Sequence, residues 1–178
     1  MNKTCTASLF ALVPALGLLA LPLQCTVAAT PATAMEQRLR TLEDREQIRA
    51  LLNDYGRLLD ERNFEGFGKL FAATGEYHSG AITKGPKAIG DSLRDIMGRN
   101  PLGFKEPNFH VFFNVYIDVK GDRATSTSQS VYLVPSEGNK PELALMASYQ
   151  DDLVREDGQW KFQKRVVRGH IPVPKPRP

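Results

Sequence analysis

Beyond residue 25 this chain has no cysteine, because Cys5 and Cys25 both fall in its opening stretch. Everything downstream is therefore without disulfides, thiol nucleophiles and thiolate metal sites, and its stability must come from packing. Histidine is scarce as well. His78, His110 and His170 are far apart and show no recurring His/Asp/Glu spacing, so no metal site is expected. Neither charge dominates: 23 Lys and Arg are interspersed with 20 Asp and Glu, which gives no nucleic-acid footprint. A phosphate loop, a dinucleotide fingerprint and a nucleophile elbow are also missing. Any chemistry must then come from ordinary side chains, with no cofactor expected.

The one long apolar run, Leu9 to Leu23, follows Lys3, contains Pro14 and Pro22, and leads into the small residues between Val27 and Ala34. It is short and Pro-broken for a membrane span. It reads as a secretory signal over 1–29, with cleavage after Ala29 or as late as Ala34. A lipid anchor at Cys25 is disfavoured because Gln24 is bulky. The expectation is an exported, periplasmic or secreted protein that does not engage the membrane once the signal is removed. Residues 35–170 then form one domain, and 171–178 a Pro-rich basic tail of extended, polyproline-like character.

Within that domain a helix is predicted from near Met35 or from Thr41, where Thr41-Leu42-Glu43-Asp44 resembles a capping box. Ile48, Leu51, Leu52, Tyr55, Leu58 and Leu59 give it a broad apolar face ending at Asp60. Asn63 is placed to cap a short second helix through Phe64, Phe67, Leu70 and Phe71. A strand over Gly75 to Ser79 and a turn lead to Pro86, which opens a third helix. The period then changes from 3.6 to 2. Strands are predicted over Phe109–Val119, Ala124–Val134, Leu143–Arg155 and Trp160–Arg168, with turns at Lys120-Gly121-Asp122 and Asp157-Gly158. Helices followed by an antiparallel meander predict an α+β fold: three N-terminal helices against a strongly curved, mostly antiparallel sheet with a pocket between the layers.

Strict alternation puts His110, Phe112, Asn114 and Tyr116 on one face of the first long strand. Phe109, Val111, Phe113, Val115 and Ile117 fall on the other. The mixed face is expected to line the pocket, and the apolar face to meet a second subunit. His110 and Asp60 are the leading candidates for chemistry. A carboxylate holding an imidazole makes a proton-transfer unit, and an acid at a helix C-terminus opposes the dipole. The bland readings are a strand histidine bonded to backbone and an exposed helix-end acid. Tyr55 lies five residues before Asp60, about 140° away around an ideal helix, so spacing alone does not join them. Asn114, Phe112, Tyr116, His78 and Tyr149 are candidate substrate-binding residues. Arg165 is either pocket or structure, Trp160 a core anchor and His170 surface.

Leu42 to Asp60, Lys84-Gly85-Pro86, His110 to Asn114, Gly121 to Ala124, Tyr149 to Arg155 and Asp157 to Trp160 resemble the SnoaL-like branch of the nuclear transport factor 2-like superfamily. The likeness covers about Met35 to His170. It implies a cone-shaped α+β barrel with a deep apolar pocket, commonly as a homodimer. The branch includes scytalone dehydratase, bile-acid 7α-dehydratase, hexachlorocyclohexane dehydrochlorinase, steroid isomerases and polyketide cyclases. In its dehydratase-like members a helix Asp supports a sheet His that removes a proton. Asp60, His110 and Tyr55 match that pattern, as does the Asn four residues after the His. The resemblance implies a cofactor-independent lyase or isomerase acting on a small apolar, cyclic or polyketide-like molecule. A non-catalytic periplasmic ligand-binding or scaffold domain is the alternative, since this fold hosts both.

Overall fold

The computed structural model describes residues 31–172, apart from 102, 104 and 105. The expected signal and nearly all of the tail lie outside the described residues. Helix α1 spans Pro31–Asp60, α2 Phe64–Lys69 and α3 Pro86–Arg99. The strands are β1 Phe71–Ser79, β2 Ala81–Lys84, β3 Phe109–Lys120, β4 Arg123–Pro135, β5 Pro141–Glu156 and β6 Gln159–Ile171. They form one curved, open sheet in the order β2-β1-β6-β5-β4-β3. All its pairings are antiparallel except β1 with β6. No helix among the described residues is long and apolar enough to cross a membrane.

The apolar stripe of α1 makes the core: Ile48, Leu51, Leu52, Tyr55, Leu58 and Leu59 are all buried, against Phe67, Phe71, Leu153 and Phe162. Gly56 lets the helix press onto the sheet, because a Cβ there would sit 3.0 Å from His110 Cβ and 3.1 Å from Phe112 Cε2. Trp160 is buried and donates to Asp44 Oδ1 at 3.2 Å, beside an Arg155–Asp44 ion pair.

Three boundaries differ from expectation. Thr41 caps nothing: α1 already runs through it from Pro31, and its hydroxyl donates to the Gln37 carbonyl at 2.9 Å, one turn back. Phe71 is the first residue of β1 rather than the last of the second helix, and Ala81–Lys84 is a strand rather than a turn. β2 pairs along β1 with Tyr77 opposite Thr83, and its partly exposed edge left no apolar alternation to read.

The largest departure is a β-bulge in β3. Phe113 pairs with Gln129 and Tyr116 with Thr127, so Asn114 and Val115 together oppose Ser128. Asn114 takes φ 50, a left-handed conformation that Asn tolerates better than most residues. The extra residue reverses the faces. His110 and Phe112 point inward, but beyond the bulge Val115, Ile117 and Val119 pack on the core while Tyr116 is 72% exposed. The outward apolar face is correspondingly smaller, with Phe109 and Val111 exposed on it.

Candidate functional site

The first helix ends in a way that aims Asp60 at the sheet. The Asn63 amide donates to the Leu58 carbonyl at 2.8 Å and the Arg62 amide to Leu59 at 3.1 Å, with Arg62 left-handed at φ 60. This is a Schellman closure with arginine where glycine is usual. The sharp stop leaves Asp60 against the start of β3. Its Oδ1 lies 2.6 Å from His110 Nδ1, and its Oδ2 accepts the His110 backbone N–H at 2.8 Å. Asn108 Nδ2 also donates to Oδ1, at 2.8 Å. One carboxylate thus fixes both the ring and the backbone of a single histidine.

His110 forms part of the wall of a cavity of about 400 Å³ between the sheet and the helices. Leu59, Leu93, Met97, Leu145, Met146 and Val167 supply apolar surface there. Besides His110, the polar residues that line it include tyrosines, Ser79, Asn100, Ser130 and the charged Arg62 and Glu106. Asp60 itself lies on the other side of the imidazole, in a shallow outer groove with Asn53, Arg57 and Glu61. The carboxylate is therefore behind the ring and the cavity in front of it.

Tyr55 comes close to the same cavity although helical spacing did not align it with Asp60. Its hydroxyl is 3.0 Å from that of Tyr77, and its ring meets Phe112 edge-on at 5.8 Å. Tyr149 also lines the cavity, with its hydroxyl 2.9 Å from Ser130 Oγ. Burial first, then the neighbouring tyrosines, pushes the Tyr55 phenol well above its ordinary range, while Arg165 pulls the other way. Burial likewise raises Tyr149 and Tyr132. At neutral pH these groups are neutral phenols, able to donate to an oxygen.

Phe112 buttresses the site between Tyr55 and Tyr149. The other predicted binding residues lie elsewhere. Asn114 donates to Gln129 Oε1 at 2.7 Å on the outer face, where Tyr116 also sits, because the bulge turned both away. His78 faces out beside Glu76 at 2.8 Å, since Tyr77 takes the inward position on β1. Lys84 and then His78 lower the Glu76 carboxyl to about 2. His170 is exposed and bonded to Ser148. No cluster of three or more potential metal ligands occurs among the described residues.

Arg62, Asn108, Tyr132 and Ser130 are site residues that sequence reasoning did not single out. Tyr132 packs against His110 with ring centroids 4.6 Å apart and the rings tilted by 47°. Arg62 links to Asn108 Oδ1 at 2.7 Å and to Glu106 at 2.8 Å. The two-residue interval between Asp60 and the Asn63 cap was the available signal, because so tight a junction demands a left-handed residue. Beneath the cavity floor Arg165 is fully buried. Its guanidinium carbon is 4.0 Å from the Tyr55 ring centre and 4.2 Å from that of Tyr149, and its Nε is 3.6 Å from Asp151 Oδ1.

An open curved sheet, helices across its concave side and a pocket between them define the nuclear transport factor 2-like, or cystatin-like, class of α+β fold. The chain belongs to the SnoaL-like domain family, whose pattern matches residues 40–166. An uncharacterized protein of Mycobacterium tuberculosis is 26% identical over 129 residues, 70% of this chain and 84% of its own length. An NTF2-like protein with a cystatin-like fold from Novosphingobium aromaticivorans superposes with a TM-score of 0.71 at 27% identity, over 81% of this chain and 93% of that one. A protein of the same organism provisionally designated a scytalone dehydratase superposes at 0.60 with 25% identity, over 77% and 89%.

Proposed function

We propose that the protein is an exported lyase, of dehydratase type, or isomerase that takes a proton from a small apolar, cyclic or polyketide-like molecule. The observation that carries this reading is the Asp60–His110 pair at the cavity wall. The carboxylate at 2.6 Å holds the Nδ1 proton, which leaves a lone pair on Nε2. Substrate in the cavity gives its C–H proton to Nε2, and Asp60 stabilises the imidazolium that forms. The C–H electron pair moves into an adjacent carbonyl, or expels a leaving group from the neighbouring carbon. The proton then passes from His110 to that leaving group or to a second carbon. Tyr55, as a neutral phenol at the cavity, is suited to donate to the oxygen on which charge develops. The SnoaL-like family and the dehydratase-designated neighbour support the same chemistry. Exposed Phe109, Val111 and Tyr116 support self-association through the outer sheet face.

A nitrobenzisoxazole is a suitable probe: one proton abstraction breaks its N–O bond and releases a coloured cyanophenolate. The native protein is expected to accelerate this elimination with saturation. His110→Ala and Asp60→Asn should each lower kcat by about 10²–10⁴-fold while the fold persists. Full rates in both variants would overturn the proposal.

A further inference from the structure

We propose that Arg62 is a positioning residue that acts through Asn108 to fix the working tautomer of His110. The inference rests on the proton-abstraction reading and names a part of its machinery.

An asparagine amide can present either its oxygen or its nitrogen, and nothing within Asn108 decides which. Asn108 is 4% exposed, so water does not decide it either. Arg62 decides it. A guanidinium only donates, so the Asn108 oxygen that accepts from it at 2.7 Å must face Arg62. The Asn108 nitrogen then turns to Asp60 and donates to Oδ1 at 2.8 Å. Asp60 Oδ1 therefore receives two donors and Oδ2 receives the His110 backbone N–H, which holds the carboxylate in the plane that suits the imidazole. Reversing the Asn108 amide would set its carbonyl oxygen against a carboxylate oxygen. That repulsion would drive Asp60 away from Nδ1. An imidazole without its Nδ1 partner is free to carry its proton on Nε2, and in that form it cannot take one from substrate.

The backbone supplies an independent argument. Arg62 occupies φ 60 at the Schellman position, a left-handed backbone conformation that disfavours any residue with a Cβ. Glycine would serve the turn better, so this side chain is held against the preference of its own backbone. It is anchored by the Leu59 carbonyl at 2.9 Å and Glu106 at 2.8 Å, both of which aim it at Asn108. The ionisable groups around the relay are Arg57 from α1, Glu61 in the turn after it, Glu106 from the segment before β3, His110 from β3 and Tyr132 from β4.

The test is nitrogen NMR of the His110 ring in the free protein, which needs no substrate, combined with the nitrobenzisoxazole elimination. Arg62→Gly suits the left-handed backbone and removes the donor; Arg62→Lys keeps a cation that only donates. The native ring is expected in the Nδ1–H form. Arg62→Gly should move it to a mixture with Nε2–H and lower kcat about tenfold with KM little changed, and Arg62→Lys should restore most of both. An unchanged tautomer and kcat in Arg62→Gly would overturn the relay even if His110→Ala is inactive. Conversely, an active His110→Ala beside a shifted tautomer would overturn the proton-abstraction reading and leave the relay standing.

Discussion

Replacing Asp151 by asparagine strips the facing anion from a guanidinium that has no contact with solvent. Arg165 is 0% and Asp151 3% exposed, and their nearest charged atoms are 3.6 Å apart. At an effective dielectric of about 20, Coulomb's law gives that separation about 4.6 kcal/mol. Breaking a buried pair by removing one partner costs about 3–5 kcal/mol, and the Tyr55 and Tyr149 faces recover only part of it. Asp151→Asn should therefore lose about 3–5 kcal/mol in urea unfolding at pH 7. Arg165→Met should lose a comparable amount, and the double variant much less than the sum. The pH dependence has a definite sign. Burial raises the Asp151 carboxyl above its ordinary value, with Arg165 and Ser126 opposing it. A folded-state value above the unfolded one means the folded protein holds the proton longer. This group's contribution to stability therefore grows as pH falls from the raised value toward the unfolded one. Without Arg165 the rise is larger, so the deficit of Arg165→Met should shrink on acidification. A loss below about 1 kcal/mol for Asp151→Asn, or additive single and double variants, would refute the reasoning.

Two further substitutions probe the placement of β3. Asn114→Val should cost about 1–2 kcal/mol by forcing a β-branched residue to φ 50, whereas Asn114→Gly should not, as measured by thermal unfolding. Gly56→Ala should cost about 1–3 kcal/mol and, on the proposed mechanism, slow the elimination, because the added methyl would meet His110 Cβ at 3.0 Å and shift the strand that carries His110. Chemical denaturation and initial rates check both effects.

The α1 stripe from Ile48 to Leu59 was legible because its period matches a helix and every member is buried. The β3 alternation was legible only as far as Phe113. Period-2 reasoning carries one register through a strand, and a bulge is a backbone event that one Asn signals weakly. Asn114 and Tyr116 were misplaced for that single reason. The short edge strand β2 has four residues and little burial, so it left no pattern to read. Asp60 and His110 could be named from residue type and the family resemblance, but their 2.6 Å contact depends on the approach at Gly56 and the helix closure at Arg62. The roles of Arg62 and Asn108 were not legible for a different reason, although the tight junction after Asp60 marked where a left-handed residue must fall. Their part is to constrain one another's orientation, and composition and periodicity carry no information about orientation.

The bulge at Asn114 also divides β3 into two regions with separate tolerances. Upstream of it, His110 and Phe112 lie at the cavity or against its wall; downstream, Val115, Ile117 and Val119 lean on the core. A change of shape or polarity in the first region alters what the cavity admits, while the second continues to support the domain. Because the division falls within one strand, the pocket can be remodelled a few residues away from side chains that set the melting point. In a protein without a disulfide in this domain, that separation lets ligand preference diverge without an equal loss of durability.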